Sequence, residues 1–275
     1  MKVFVSIDLE GITGVHAEEQ TDPAGPEYSS ACAAMRADLD AALEGCFPAG
    51  ATSVVVCDGH AAGRNLHGEG LPDGVALVSW STSSLDMMTG IDESFDAALF
   101  LGYHARAGAA AAVLEHTCAY KVFSVATGGQ EIGEFGLNAL LAGHFGVPCA
   151  FVSGDDKAVA EARELVPGIG AAVVKTSQAR TSTRALPPTV TARLLREGVR
   201  TALTEKPPDA VKWAGAPLRV VFVRTHHCDA AATQAGTQRL DGRTIEIAGD
   251  SYLEVFETFA ACLQLAGAAG PPSSE

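Results

Sequence analysis

Asp8 and Glu10 end the run "MKVFVSI" and are separated by one residue. In extended backbone, side chains two residues apart share a face, so the two carboxylates can converge on one point. Adjacent carboxylates repel, and holding both ionised calls for a cation between them. An isolated D-x-E also serves as a solvated acidic turn, so the pair needs company to mean more. His60 follows the apolar run "SVVVC" after Asp58 and Gly59, and His104 follows "AALFLGY" directly. Glu134 opens the segment "GEFGLNALLAG". At the first turn of a helix the dipole favours an ionised carboxylate, which is a sufficient reason for that residue taken alone. Carboxylates and imidazoles without thiolate suit zinc, manganese, iron or cobalt better than calcium. Three carboxylates and two imidazoles exceed the needs of one catalytic zinc. They match two ions about 3.5–4 Å apart that share a carboxylate.

The elements that must gather these residues are buried strands. Residues 1–7, 52–57 and 97–103 read as central strands, with Asp8, Glu10, His60 and His104 just beyond their carboxyl ends. In an open α/β sheet that is where sites form. Met35, Leu39, Leu43 and Cys46 recur at helical spacing up to Pro48 and Gly50. A short strand is expected at 75–78, further strands at 120–126, 148–152 and 171–175, and a helix from Glu134 to Phe145. After residue 180 the chain changes character, with a helix near 188–204, the Pro-rich "EKPPDA", strands at 218–224 and 244–247, and a capping box Ser251-x-x-Glu254 before a last helix. The expected fold is α/β, a mainly parallel sheet flanked by helices, with a smaller α/β C-terminal portion. The division is 1–180 for a metal-binding catalytic domain and 181–275 for oligomerisation or a chamber wall. The tail "GAAGPPSSE" is expected to fray.

Composition removes several classes. A net charge of −14 repels nucleic acid and anionic membrane surfaces alike. No apolar run approaches the roughly 20 residues of a membrane-spanning helix, and the first strand is too short and too uncharged at its start for a signal peptide. The seven cysteines (32, 46, 57, 118, 149, 228 and 262) include no C-x-x-C pair, and several sit in apolar runs. Buried reduced thiols in a cytoplasmic protein are expected.

The segments "SIDLEGITG", "CDGH", "FLGYHAR", "EHT", "GEFGLNALLAG" and "VSGDD" stand in the order and approximate spacing of the bacterial D-aminopeptidase family of zinc peptidases. The resemblance runs from residue 1 to about 180. It implies two zinc ions per subunit on Asp8, Glu10, His60, His104 and Glu134, the residues already reached from the strand ends. It also implies that His116 is the catalytic histidine and not a ligand, acting as nucleophile or base. The family acts on the amino-terminal D-residue of short peptides, such as D-Ala, and assembles as a homodecamer with sites facing an inner chamber. Two other readings keep the metals: hydrolysis of a different amide or of a phosphate ester, with Arg64 and Arg106 at hand, or an inactive metal-stabilised oligomeric scaffold. Between His104 and His116 the chain is Ala-rich where turn residues are expected. Asp58 is suited either to orienting an imidazole or to forming the turn before Gly59. His226 and His227, as neighbours on an extended segment, would face opposite ways and are assigned to the surface or an interface. His16 has no assigned role, His67 belongs to a loop and His144 to a helix face.

Overall fold

A computed structural model describes residues 1–80 and 82–270. Among the described residues, twelve strands form two sheets. The larger contains β1 (Lys2–Ile7), β2 (Ser53–Asp58), β3 (Val75–Val78), β4 (Ala97–Tyr103), β7 (Cys149–Asp155), β8 (Gly170–Ala179) and β9 (Ser182–Ala185), in the order β3-β2-β1-β4-β7-β8-β9. All its pairings are parallel except that of the edge strand β9 with β8. The smaller sheet is antiparallel and contains β5 (Val122–Thr127), β6 (Gln130–Glu131), β10 (Leu218–Phe222), β11 (Thr237–Arg239) and β12 (Thr244–Ile247), in the order β11-β12-β10-β5-β6. The helices are α1 (Glu18–Thr21), α2 (Tyr28–Cys46), α3 (Glu134–His144), α4 (Asp156–Leu165), α5 (Pro188–Thr204), α6 (Thr225–Ala231) and α7 (Tyr252–Ala268). This is the mainly parallel, helix-covered α/β architecture expected from the buried apolar strands.

The two-residue period of β1 separates two cores. Val3, Val5 and Ile7 enter one with Met35, Leu39 and Leu43 of α2 and Leu195 and Val199 of α5. Phe4 enters the other, with Phe100 of β4, Phe135 and Leu141 of α3, Val220 of β10 and Phe256 of α7. The elements on either side of residue 180 interleave. The second sheet takes β5 and β6 from before it and β10 to β12 from after it, and α5 packs on α2. The helix at 188–204 agrees with the sequence, and the capping box of α7 forms by half: the Ser251 hydroxyl accepts from the Glu254 amide, but the Glu254 carboxylate accepts from the Asp250 amide and not from that of Ser251. Residues 271–275 of the tail lie outside the described residues.

The central strands end level with one another. Ile7 stands opposite Asp58 on β2 and Leu101 on β4. Pairing continues past the strand end, with the Asp8 amide donating to Leu101 O at 2.8 Å, Gly11 N to Gly102 O at 2.7 Å and Gly59 N to Ile7 O at 2.7 Å. Two glycines allow this approach. A Cβ on Gly11 would meet Tyr103 O at 2.1 Å, and one on Gly102, whose φ is +69°, would meet Asp8 O at 2.2 Å. Behind the strand ends the buried Tyr103 hydroxyl bonds to the Ser6 hydroxyl at 2.7 Å and accepts from the Asn138 amide at 2.8 Å. The asparagine of "GEFGLNALLAG" thus ties α3 to the sheet.

Candidate metal centre and catalytic cavity

The level strand ends bring Asp8, Glu10, His60 and His104 together, and the first turn of α3 adds Glu134. All five are buried. Asp8 stands in the middle with one carboxylate oxygen toward each half. Oδ1 is 3.4 Å from His60 Nδ1, which is also 3.1 Å from Glu10 Oε2. Oδ2 is 3.4 Å from His104 Nε2, which is also 3.3 Å from Glu134 Oε1. Each imidazole is anchored by its other nitrogen to a backbone carbonyl: His60 Nε2 to Thr21 O at 2.8 Å, His104 Nδ1 to Ala105 O at 2.9 Å and His116 Nδ1 to Leu114 O at 2.9 Å. In the neutral ring, a nitrogen that donates to a carbonyl leaves the other with a lone pair, free to join the carboxylates on a metal ion.

These residues fit metal ions by a direct criterion. Asp8 Oδ2 and His104 Nε2 are buried and make no hydrogen bond, a costly state unless another partner fills it. Ligand atoms of Asp8, Glu10 and His104 lie within 4.8 Å of one another, as do those of His104, His116 and Glu134. Without a metal, burial alone would lower the His60 pKa, but the Glu10 and Asp8 carboxylates outweigh it and raise it to about 12. His104 is likewise raised well above its usual range by Glu134 and Asp8 against the effect of burial. Burial and the adjacent Glu10 push Asp8 up to about 7. Burial opposes ionisation of Glu10 and Glu134 as well, yet the imidazoles hold both carboxyls below their ordinary values.

His116 reaches this centre. Its ring stacks on that of His104, with centroids 4.1 Å apart and planes 11° off parallel, and its Nε2 lies 3.6 Å from Glu134 Oε1. The Ala-rich approach lacks the usual turn formers, and Ala111 and Leu114 themselves adopt left-handed backbone, at φ 52° and 48°. Burial, then the charge of His104, lowers the His116 pKa, which keeps the imidazole unprotonated and able to accept a proton at neutral pH.

The centre opens into a cavity of about 890 Å³. Glu18, Glu19, Asp22, Asp86, Tyr120 and Lys121 line it beside the metal-type residues. Arg106 instead pairs with Glu131 at 2.8 Å. Asp58 bonds not to an imidazole but to the amides of Asn65 and Leu66, at 2.9 Å for the latter, and to the Asn65 side chain at 2.8 Å. It closes the loop that carries His60. His226 and His227 correct the sequence expectation: they lie on α6, not on an extended segment, with ring centroids 4.1 Å apart, and line a separate surface cavity with Arg224 and Arg243. His16 is exposed and bonds to Gly14 O at 3.1 Å. The cysteines are free: 46, 57, 149, 228 and 262 are buried and 32 and 118 partly so.

Three contributions escaped the sequence. The Cys118 amide donates to Glu134 Oε1 at 2.6 Å. Arg180 Nη1 donates to the carbonyl of Glu115 at 2.7 Å, beside His116, and its Nη2 to Glu18 Oε1 at 3.2 Å on the cavity rim. Lys175, which is 1% exposed, donates to Glu10 O at 2.5 Å, Ile12 O at 2.9 Å and Val15 O at 2.5 Å. Only Lys175 left a sequence signal, a lone lysine inside the apolar run "GAAVVKTS".

Residues 1–261 match the peptidase family described as D-aminopeptidase. The chain is 33% identical over 271 residues to a D-aminopeptidase of Bacillus subtilis (strain 168), covering 97% of this chain and 98% of that one. Its fold superposes with a TM-score of 0.94, at 31% identity and over 99% of this chain and 100% of the other, on DppA from Bacillus subtilis, described as a Zn-dependent D-aminopeptidase and a self-compartmentalizing protease. Strand ends, metal-type cluster and end-to-end similarity converge, and the chain belongs to the D-aminopeptidase family.

Proposed function

We propose that the protein is a zinc-dependent aminopeptidase that removes amino-terminal D-residues such as D-Ala from short peptides, with Asp8, Glu10, His60, His104 and Glu134 holding two zinc ions per subunit. The observation that carries the two-ion reading is the Asp8 carboxylate, which faces His60 and Glu10 with one oxygen and His104 and Glu134 with the other. Bound there, the ions supply Lewis acidity at the scissile carbonyl and lower the pKa of water.

His116 takes or delivers the proton at Nε2, or attacks the carbonyl carbon with the same atom, because Nδ1 is committed to Leu114 O. The Leu114 carbonyl and the stacked His104 ring fix the plane in which that nitrogen works. Glu18, Glu19 and Asp22 outnumber Lys121 and make the cavity acidic, which suits a peptide ammonium and repels a phosphate ester. The same geometry argues against an inactive scaffold, which needs ligands but no neutral histidine beside them.

The homodecamer with an enclosed chamber is also part of this reading, supported by the self-compartmentalizing description of DppA. In it, the segment after residue 180 supplies subunit contacts or chamber wall. A cytoplasmic location is consistent with free cysteines and with the absence, among the described residues, of a helix long and apolar enough to cross a membrane. The test is hydrolysis of D-alanyl-p-nitroanilide, its L-enantiomer and a p-nitrophenyl phosphate, before and after chelation. Chelator-sensitive turnover of the D-substrate alone is expected. Preference for the L-substrate or the phosphate, or full turnover by metal-depleted protein, would contradict it.

A further inference from the structure

The loop from Glu10 to Val15 carries one of the five metal-type side chains and belongs to no helix or strand. Its residues are nevertheless buried from Glu10 to Thr13 and again at Val15. Two short turns, Ile12 N to Leu9 O and Val15 N to Ile12 O, both at 3.1 Å, shape it locally. Gly11 N to Gly102 O ties it to the sheet at one point. The Lys175 ammonium supplies what is missing: its three donors are spent on the carbonyls of Glu10, Ile12 and Val15. An ammonium has only three donors, so the group is fully committed and has none left for substrate. On the far side of the loop the Thr13 amide donates to the buried Asp38 carboxylate at 2.9 Å.

Lys175 sits on β8, a strand that presents no metal-type side chain to the centre. The same strand reaches the other half of the machinery, because Ser177 Oγ accepts from Val113 N at 3.2 Å, in the approach to His116. Ser177 Oγ also donates to Asp155 Oδ2 at 2.7 Å, which locks its rotor.

We infer that Lys175 is a positioning residue for the metal centre: through three backbone carbonyls it fixes the Glu10–Val15 loop and so the place of the Glu10 carboxylate. The inference rests on the assignment of Glu10 as a ligand. A methionine at 175 keeps length and apolar stem but leaves the Glu10 and Val15 carbonyls of a buried loop without a donor and the Ile12 carbonyl with only the Val15 amide, so the loop is expected to loosen while the sheets remain.

The experiment compares the unsubstituted protein with Lys175→Met, with the double variant Lys175→Met/Asp38→Asn, which removes one buried charge of each sign, and with Leu195→Ala. Leu195 is buried in α5, within the core between α2 and the large sheet, and its truncation lowers stability without removing any hydrogen bond of the loop. The readouts are amide hydrogen exchange of residues 10–15 in metal-free protein, zinc affinity by competition with a chelator, and the split of kcat from KM for D-alanyl-D-alanine. Lys175→Met or the double variant is expected to exchange faster at 10–15, to bind zinc at least about tenfold more weakly, and to lose kcat with KM nearly unchanged. Leu195→Ala is expected to change none of the three. The inference is overturned if exchange and zinc affinity stay within about twofold of the unsubstituted protein, if Leu195→Ala weakens zinc equally, or if neither Lys175 variant folds, since Lys175 would then hold the fold and not the site. Failure of the unsubstituted protein to bind zinc overturns the ligand assignment instead, and the exchange readout, which needs no metal, still decides whether Lys175 fixes the loop.

Discussion

At the scale of single residues the site is a set of histidines whose two nitrogens have different duties. His60, His104 and His116 each give one nitrogen to a backbone carbonyl and turn the other to a carboxylate. For His116 the expected consequence is catalytic. His116→Ala and His116→Asn should lower turnover by roughly 10²–10⁴ while zinc content stays at the unsubstituted level. Loss of zinc from either variant would make His116 a ligand. For His60 and His104 the consequence is a proton balance. In metal-free protein both imidazoles are held protonated by their carboxylates, so zinc must displace protons to bind. Zinc binding should therefore release protons and tighten as pH rises from about 5 to 8. Calorimetry in buffers of different ionisation enthalpy reads the count, and proton uptake would contradict the assignment. The metal-free protein should trend the other way. The folded His60 value, about 12, lies above the ordinary 6.5, so the pairing contributes fully below 6.5 and is lost as pH climbs toward 12. The melting temperature of metal-free protein should accordingly fall as pH is raised above neutrality.

At the scale of elements the strand ends do the gathering, and this much could be read from the sequence. Asp8, His60 and His104 each follow a short apolar run rich in β-branched and aromatic residues, the pattern of interior strands in a covered parallel sheet. The helical spacing of Met35, Leu39 and Leu43 gave a covering layer for the same reason: burial selects apolar side chains at a fixed repeat. What escaped was held by backbone groups or by single long side chains from distant strands. The Thr21 carbonyl and the Cys118 amide obey no local pattern, because a backbone group is the same at every residue, and the lone Lys175 in its apolar run does not say which carbonyls its ammonium meets. The turn of His226 and His227 into α6 escaped as well, since β10 ends at Phe222 and the helix begins three residues later, without a side-chain cap at Arg224 to announce it. The close approach of β1 and β4 gives a prediction at this scale. Gly102→Ala places a Cβ 2.2 Å from Asp8 O and imposes a left-handed backbone on alanine. The backbone strain alone costs about 1–3 kcal/mol. Urea unfolding should show at least that loss, with zinc affinity falling too, because Asp8 must shift. Unchanged stability would show that the strand ends are looser than their hydrogen bonds indicate.

For the whole molecule, two features bear on how substrate meets the site. The chain is acidic throughout, at −14, and its cavity concentrates that charge beside the metal-type cluster. A peptide ammonium is drawn to it, and a nucleic acid or phosphate ester is not. Exposed Tyr120 lines that cavity, and Phe123 on β5 and Val223 just past β10 are exposed as well, with the Val223 amide bonded to Lys121 O at 2.8 Å. Such a patch fits a protein that assembles, in keeping with the proposed enclosed chamber. Light scattering should give an assembly many times the 28.3 kDa chain, and a monomer at all concentrations would remove the chamber and its size limit on substrates.

The central claim is a pair of zinc ions divided between the two oxygens of Asp8. It is tested most directly by a crystal structure of zinc-loaded protein with anomalous diffraction recorded at the zinc edge. Two anomalous peaks per subunit are predicted, about 3.5–4 Å apart, one between Asp8, Glu10 and His60 and the other between Asp8, His104 and Glu134. A single peak, or peaks away from Asp8, would contradict the claim.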